Sequence, residues 1–213
     1  MAVILLVNPL SPEPERIAQA AERIRQGAVV AIPTDTVYGL AADPFNASAV
    51  EKVFSLKGRA KSAPLLLLVS SVEMAAGLSS NPPPEFYRLA ERFWPGPLTI
   101  VLEASPRIPA PVTAHTGYVG LRFPAAAVPC ALIEQVGGAI TATSANLSGE
   151  KECRSAAEVE ASLGQRLSLI LDGGPSPATV PSTVVRLAGS SWEIVREGAV
   201  LRAVLTEFFR EIR

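Results

Sequence analysis

Soft metal ligands are scarce in this 213-residue chain, which holds two cysteines and one histidine. Cys130 and Cys153 stand in no paired spacing and His115 is alone, so neither a structural zinc site nor a disulfide framework is indicated, and no metal-ligating residues are assigned. Net charge is also missing: the formal balance is -1 and the pI about 5.9, so no global positive field draws the protein to nucleic acid or to an anionic membrane. Any anion site must be local. Long apolar runs are absent as well. Ala63 to Val69 falls far short of the ~20 residues needed to cross a bilayer. The N-terminal run Ala2 to Val7 has no basic stretch before it and no small-residue cleavage site after it, which predicts a cytoplasmic protein without a signal peptide. Three enzyme classes lose their support in the same way, because the chain contains no G-x-x-x-x-G-K-[ST], no G-x-G-x-x-G and no G-x-S-x-G.

What is present suits one soluble α/β domain over residues 1–213, with 48% hydrophobic residues and enough length for a well-buried core. Ala2 to Val7 reads as a strand. Ser11 as N-cap, Pro12 at the first helical position and the periodic set Ile17, Ala20, Ala21 and Ile24 predict a helix closed by Gly27. Ala28 to Ile32 is continuously apolar, as in a strand covered on both faces. Helices are expected at Ala47 to Leu56, Ser71 to Ala76, from Pro82 through Phe93, and at Ala127 to Val136 and Ala156 to Leu163. Strands are expected at Leu65 to Val69, Leu98 to Leu102, Val119 to Phe123, Ala139 to Thr143, Leu167 to Leu171, Ser182 to Leu187 and Trp192 to Val195. An amphipathic helix over 199–213 ends the chain. Strands alternate with helices, yet the last two strands share a short turn. The expected fold is a twisted, mixed parallel and antiparallel sheet with flanking helices.

Residues with chemical potential gather between Pro33 and Leu68. Thr34, Asp35 and Thr36 leave the C-terminal end of a strand, where open α/β sheets place ligands, although the same residue types also cap turns. Lys57, Arg59 and Lys61 alternate with small residues, so in an extended chain they share one side, as an anion clamp requires. The other reading is a solvated basic loop that offsets a helix dipole. Ser144, Asn146 and Ser148 form either a plain turn or a set of free hydroxyl and amide groups at a strand end. Arg122 lies within an apolar strand, where a charge is costly unless it is paired or bound to a ligand, and no carboxylate is adjacent in sequence. Arg196 closes the last strand and suits a surface charge equally well. His115, in a Pro/Thr-rich loop, reads as exposed rather than catalytic.

These motifs together resemble the YrdC/TsaC family, the L-threonylcarbamoyladenylate synthases of tRNA modification. The resemblance covers roughly residues 10–200 and rests on six segments in the family's order. They are Pro33-Thr34-Asp35-Thr36-Val37-Tyr38-Gly39-Leu40, Lys57-Gly58-Arg59, Trp94-Pro95-Gly96-Pro97-Leu98-Thr99, Val119-Gly120-Leu121-Arg122-Phe123-Pro124, Thr143-Ser144-Ala145-Asn146-Leu147-Ser148-Gly149 and Ser182-Thr183-Val184-Val185.

The resemblance implies a YrdC-like domain with a concave, locally positive cavity that joins L-threonine, bicarbonate and ATP, with Mg²⁺ accompanying ATP. Pyrophosphate and threonylcarbamoyl-AMP would be the products, and a separate transferase would carry the threonylcarbamoyl group to adenosine 37 of tRNA. By motif, Thr34, Thr36, Arg122 and Ser182 would surround threonine, and Lys57, Arg59, Ser144, Asn146 and Arg196 would surround ATP. Ala63, Leu68, Tyr118 and Arg186 depart from residues common in the family, and the second domain of longer relatives does not follow. Two alternatives stand beside this reading. One is a non-catalytic module that binds double-stranded RNA or tRNA, whose affinity would fall steeply with salt. The other is the similar domain of hydrogenase maturation proteins, which normally sits in a much larger chain with zinc-finger-like cysteines.

Overall fold

The computed structural model describes residues 2–58, 60, 62–178, 180–189 and 191–212. In chain order its elements are β1 (Val3–Leu6), α1 (Pro14–Arg25), β2 (Val30–Ile32), β3 (Gly39–Ala41), α2 (Ala47–Lys57), β4 (Leu66–Leu68), α3 (Val72–Gly77), α4 (Pro84–Phe93) and β5 (Leu98–Glu103). There follow β6 (Tyr118–Arg122), α5 (Ala127–Val136), β7 (Ile140–Thr141), β8 (Thr143–Ser144), α6 (Ala156–Leu163), β9 (Leu169–Asp172), β10 (Thr183–Ala188), β11 (Ser191–Arg196) and α7 (Arg202–Glu211).

Both pairing modes are present, as alternating strands and helices with a terminal hairpin require, but the strands divide between two sheets. One has the order β1-β9-β2-β3-β8 and the other β11-β10-β5-β6-β4-β7. The run Ala139 to Thr143, expected as one strand, is therefore split. β7 pairs with β4 in the second sheet, β8 pairs with β3 in the first, and Ala142 lies between them. β3 directly follows the hydroxyl-rich loop and pairs antiparallel with β2, so that loop is a tight connection between neighbouring strands.

The first sheet is covered on both faces, which explains why β2 is apolar throughout. Val30 and Ile32 face Ile17, Ala20 and Ile24 of α1 together with Leu132 and Ile133 of α5. Ala31 and Leu40 face the other way, towards Val50, Val53 and Phe54 of α2 and Val159 and Leu163 of α6. The second sheet alternates cleanly. Leu98, Ile100 and Leu102 of β5, Leu121 of β6 and Leu67 of β4 bury against Phe86 and Leu89 of α4 and Leu205, Phe208 and Phe209 of α7. Each such side chain contributes roughly 1.5–3 kcal/mol on full burial. Trp192 locks the final helix down, stacking on Phe209 with ring centroids 4.2 Å apart. With one face of β5, β6, β4 and β10 assigned to this core, the opposite residues of those strands are free to build a site.

Helix α1 starts at Pro14 rather than at Pro12. The Asn8 side chain accepts from Leu10 N at 3.0 Å and Ser11 N at 3.1 Å, which makes a turn of the segment expected to cap the helix. The C-terminal helix is shorter than 199–213 because Val200 is tied to Thr183 before the helix begins.

Candidate active site

A cavity of about 390 Å³ opens between the two sheets. Its floor is the face of the second sheet that the core leaves over. Register places Arg186, Val101, Gly120 and Leu66 side by side across four strands. The neighbouring row holds Val184 beside Thr99 and Arg122 beside Leu68, and Arg196 pairs with Val184 at the sheet's edge. Gly120 sits in the middle, where an added Cβ would lie 3.2 Å from Thr99 Cγ2 and 3.5 Å from Leu66 Cβ. Thr34, Thr36, Val37, Tyr38, Gly39 and the Ala142 to Ser144 segment supply the wall from the first sheet.

Arg122 organises that wall. Its guanidinium donates from Nε to Gly96 O at 3.0 Å, from Nη1 to Thr36 Oγ1 at 2.8 Å and from Nη2 to Asp35 Oδ1 at 2.5 Å. The strand charge that lacked a carboxylate neighbour in sequence is thus paired with Asp35, which sequence reasoning left outside the site. Thr34 Oγ1 donates to Val37 O at 2.7 Å, so in its 3.1 Å contact with Thr36 the Thr36 hydroxyl is the donor. Thr34 also accepts from Thr36 N. The result is one directed chain of hydrogen bonds, from Arg122 to Thr36 to Thr34 to the Val37 carbonyl. Thr34 is engaged in shaping the turn. Arg122 keeps an N–H on each terminal nitrogen.

Ser182 and Arg196 come to the cavity from the far edge of the second sheet. Ser182 Oγ lies 2.8 Å from Thr99 Oγ1, and Arg196 Nη2 donates to Ser182 O at 2.7 Å and to Ser182 Oγ at 3.2 Å. The Arg196 side chain is exposed to the cavity mouth while its head group is walled by protein. That partial burial lowers its pKa, with Glu152 opposing the shift and Arg122 adding to it. Arg186 also lines the cavity, paired with Glu193 Oε1 at 2.6 Å and lying over the Tyr118 ring at 5.6 Å.

Lys57 behaves differently from the extended clamp read in sequence. It is the last residue of α2, followed by Gly58 in the left-handed conformation that closes the helix (φ 57°). Its side chain is buried, and Nζ donates to Ser144 O at 2.5 Å, Asn146 O at 2.8 Å and Asn146 Oδ1 at 3.2 Å. The Asn146 amide in turn donates to Leu147 O and Glu150 O. Lys57 and Asn146 therefore hold the loop after β8, and of the expected ATP set it is Ser144 and Arg196 that line the cavity. Arg59, like Lys61, lies outside the described residues. His115 is exposed, as its loop predicts.

Asp35 stands out in sequence at the strand end but falls outside the expected site, and Glu152, Tyr118, Gly120 and Arg186 are not selected by residue type. The period-two sets Tyr118, Gly120, Arg122 and Ser182, Val184, Arg186 carried the signal for three of these positions, once Arg122 and Ser182 were suspected. Tyr38 lines the wall but turns its hydroxyl to Gly174 O at 2.7 Å, and burial, followed by the Asp172 charge, raises its pKa. Among the described residues no group of three or more His, Cys, Asp or Glu side chains is placed to hold a metal ion. None of the described helices is long and apolar enough to cross a membrane.

The Sua5/YciO/YrdC family model, described as "Telomere recombination", matches residues 22–198. The chain belongs to this family. The threonylcarbamoyl-AMP synthase of Bacillus subtilis is 38% identical over 198 residues, covering 92% of this chain and 57% of the relative. The protein of the same name from Alkalilimnicola ehrlichii is 39% identical over 191 residues, covering 88% of this chain and 95% of its own length. Among solved structures, P. abyssi Sua5 complexed with L-threonine superposes with a TM-score of 0.95 at 37% identity, over 100% of this chain and 62% of that one. The chain thus spans a little under two thirds of several relatives it matches, and the family fold accounts for all of its described elements.

Proposed function

We propose that this chain joins L-threonine, bicarbonate and ATP into threonylcarbamoyl-AMP with release of pyrophosphate, and that a separate transferase uses the adenylate to modify adenosine 37 of tRNA. The observation that carries this reading is the Arg122 fork, held by Gly96, Thr36 and Asp35 at the floor of a cavity that Arg196 and Ser182 also line. Relatives named threonylcarbamoyl-AMP synthase and the L-threonine complex of P. abyssi Sua5 support the choice of substrate.

In this reading the threonine amine adds to the carbon of bicarbonate, water leaves, and a carbamate forms. A carbamate oxygen then attacks the α-phosphorus while the bond to pyrophosphate breaks. Such a transfer needs placement and neutralisation of charge more than proton chemistry. Arg122 offers its remaining N–H groups to the threonine carboxylate, with Thr36 and Ser182 beside it. Arg196 and Ser144 face the phosphates, while Lys57 and Asn146 act through the loop they hold. Arg59 belongs to the same expected set. Mg²⁺, bound to the nucleotide rather than to this chain's side chains, would neutralise charge on the phosphates.

Mass spectrometry of purified protein with ATP, Mg²⁺, bicarbonate and each of several amino acids tests the proposal. Threonylcarbamoyl-AMP is expected with L-threonine, and pyrophosphate release should require both threonine and bicarbonate. Equal pyrophosphate release without threonine overturns it.

A further inference from the structure

Three arginines line the cavity, and they are not equally matched. Arg122 is paired with Asp35 and Arg186 with Glu193. No carboxylate comes within ion-pair distance of Arg196 among the described residues. One acidic side chain is found among the cavity's lining residues, that of Glu152. It is half-buried, lies in the loop after β8 on the side of the first sheet, and forms no ion pair among the described residues. Arg196, at the end of β11, belongs to the second sheet. Among the described residues, the cavity walls thus carry one carboxylate without an ion pair, across from one cation whose contacts are with Ser182 and not with a carboxylate. The two groups do feel each other: the Glu152 charge raises the Arg196 pKa against the effect of burial.

We propose that Glu152 is a displaceable counterion and a specificity-determining residue, balancing Arg196 before an anion arrives and weakening the cavity's hold on a polyanionic leaving group. The proposal rests on the adenylating reaction inferred above, in which pyrophosphate must depart after each turnover. An anion that reaches Arg196 has to share its field with a carboxylate on the opposite wall, and repulsion at such range acts on highly charged pyrophosphate more than on a singly charged amino-acid carboxylate.

Calorimetric titration with inorganic pyrophosphate at low ionic strength, on the wild type and on Glu152→Gln, decides the matter. The glutamine variant should bind pyrophosphate roughly 3- to 10-fold more tightly. The gain should shrink as salt is added, and it should vanish in the Glu152→Gln/Arg196→Gln double variant. Steady-state kinetics should show correspondingly stronger product inhibition by pyrophosphate. Equal or weaker binding by the folded Glu152→Gln protein overturns the proposal, and so does a gain that survives removal of Arg196. A melting curve verifies folding, with Glu152→Ala as the second variant if the first does not fold. If no threonylcarbamoyl-AMP is made by the wild type, the adenylation reading fails by itself. The titration still decides Glu152, because it needs no turnover: a wild type with no measurable pyrophosphate binding and a variant equally inert overturn the proposal.

Discussion

Asp35 and Arg122 form a buried ion pair across 87 residues of sequence, with side chains 11% and 5% exposed and Nη2 to Oδ1 at 2.5 Å. A pair so placed does two jobs at once. It stabilises the junction between the sheets, and it fixes the plane of the guanidinium towards the cavity. Removing one partner of a buried pair strands the other, at a cost of about 3–5 kcal/mol.

Arg122→Ala should therefore lower stability and threonine use together. Urea titration should show the stability loss. In the protein that remains folded, KM for threonine should rise more than tenfold, since a charge-assisted contact is worth about 1.5–3 kcal/mol, while ATP affinity changes little. Unchanged threonine KM in folded protein would confine Arg122 to a structural role.

Lys57→Met removes the ammonium but keeps the length of the side chain. Three acceptors, one at the end of β8 and two on Asn146 in the loop after it, lose their donor, at about 1–3 kcal/mol for each buried group left unsatisfied. Hydrogen exchange should accelerate at Ser148, whose amide bonds to Lys57 O, and at Ala145, whose amide bonds to Tyr38 O. ATP affinity should fall as a consequence of the loosened loop. Normal exchange at both amides alongside lost ATP binding would make Lys57 a direct phosphate ligand instead.

Gly120→Val tests the floor. The new methyl groups enter the space bounded by Thr99, Leu66 and Val101, so substrate affinity should drop several-fold. The melting midpoint should stay close to that of the wild type, because a strand interior favours valine over glycine and this offsets the tight contact with Thr99. Full activity in this variant would place the substrates elsewhere in the cavity.

Burial, then Glu134 for Cys130 and Glu158 for Cys153, pushes both thiols up to about 11 from their usual 9. The folded state thus holds protons that the unfolded chain gives up first. Their stabilisation is complete below about pH 9 and is lost as pH climbs towards about 11. Tyr38, also raised, acts with the same sign at still higher pH. Urea midpoints across this range should decline, and less so in Cys130→Ala/Cys153→Ala. An identical decline in that variant would assign the pH dependence to other groups.

Local signals in the sequence carried local structure well. Helices α5 and α6 occupy the residues their periodicity indicates, and Ser155 caps α6 by accepting from Glu158 N. The apolar run of β2 foretold a strand covered on both faces. Legibility failed wherever the decisive partner was remote or the chain reversed. Asp35 could not be matched to Arg122 without the fold, because nothing near either residue encodes their meeting. Lys57 looked like part of a basic strip until Gly58 turned the chain and sent its ammonium inward. The division into two sheets was hidden because its boundary falls inside a short apolar run, between two strands of two residues each. Thr34, Thr36, Ser144, Ser182 and Arg196 were marked by residue type and motif, and the structure brings all of them to one cavity.

The crossing at Ala142 determines how this cavity can open. Thr141 N donates to Ala42 O, just past β3, and Thr141 Oγ1 to Leu40 O of β3 in the first sheet, while Ala142 N donates to Leu66 O on the second. One peptide step is thus stitched to both walls at the back of the cleft. The walls cannot swing apart like the lobes of a two-domain kinase without tearing out this seam. The width of the cavity is thus fixed by the backbone that joins its walls, and only segments that line it from outside the strands, such as the one bearing Glu152, are left untied to this seam.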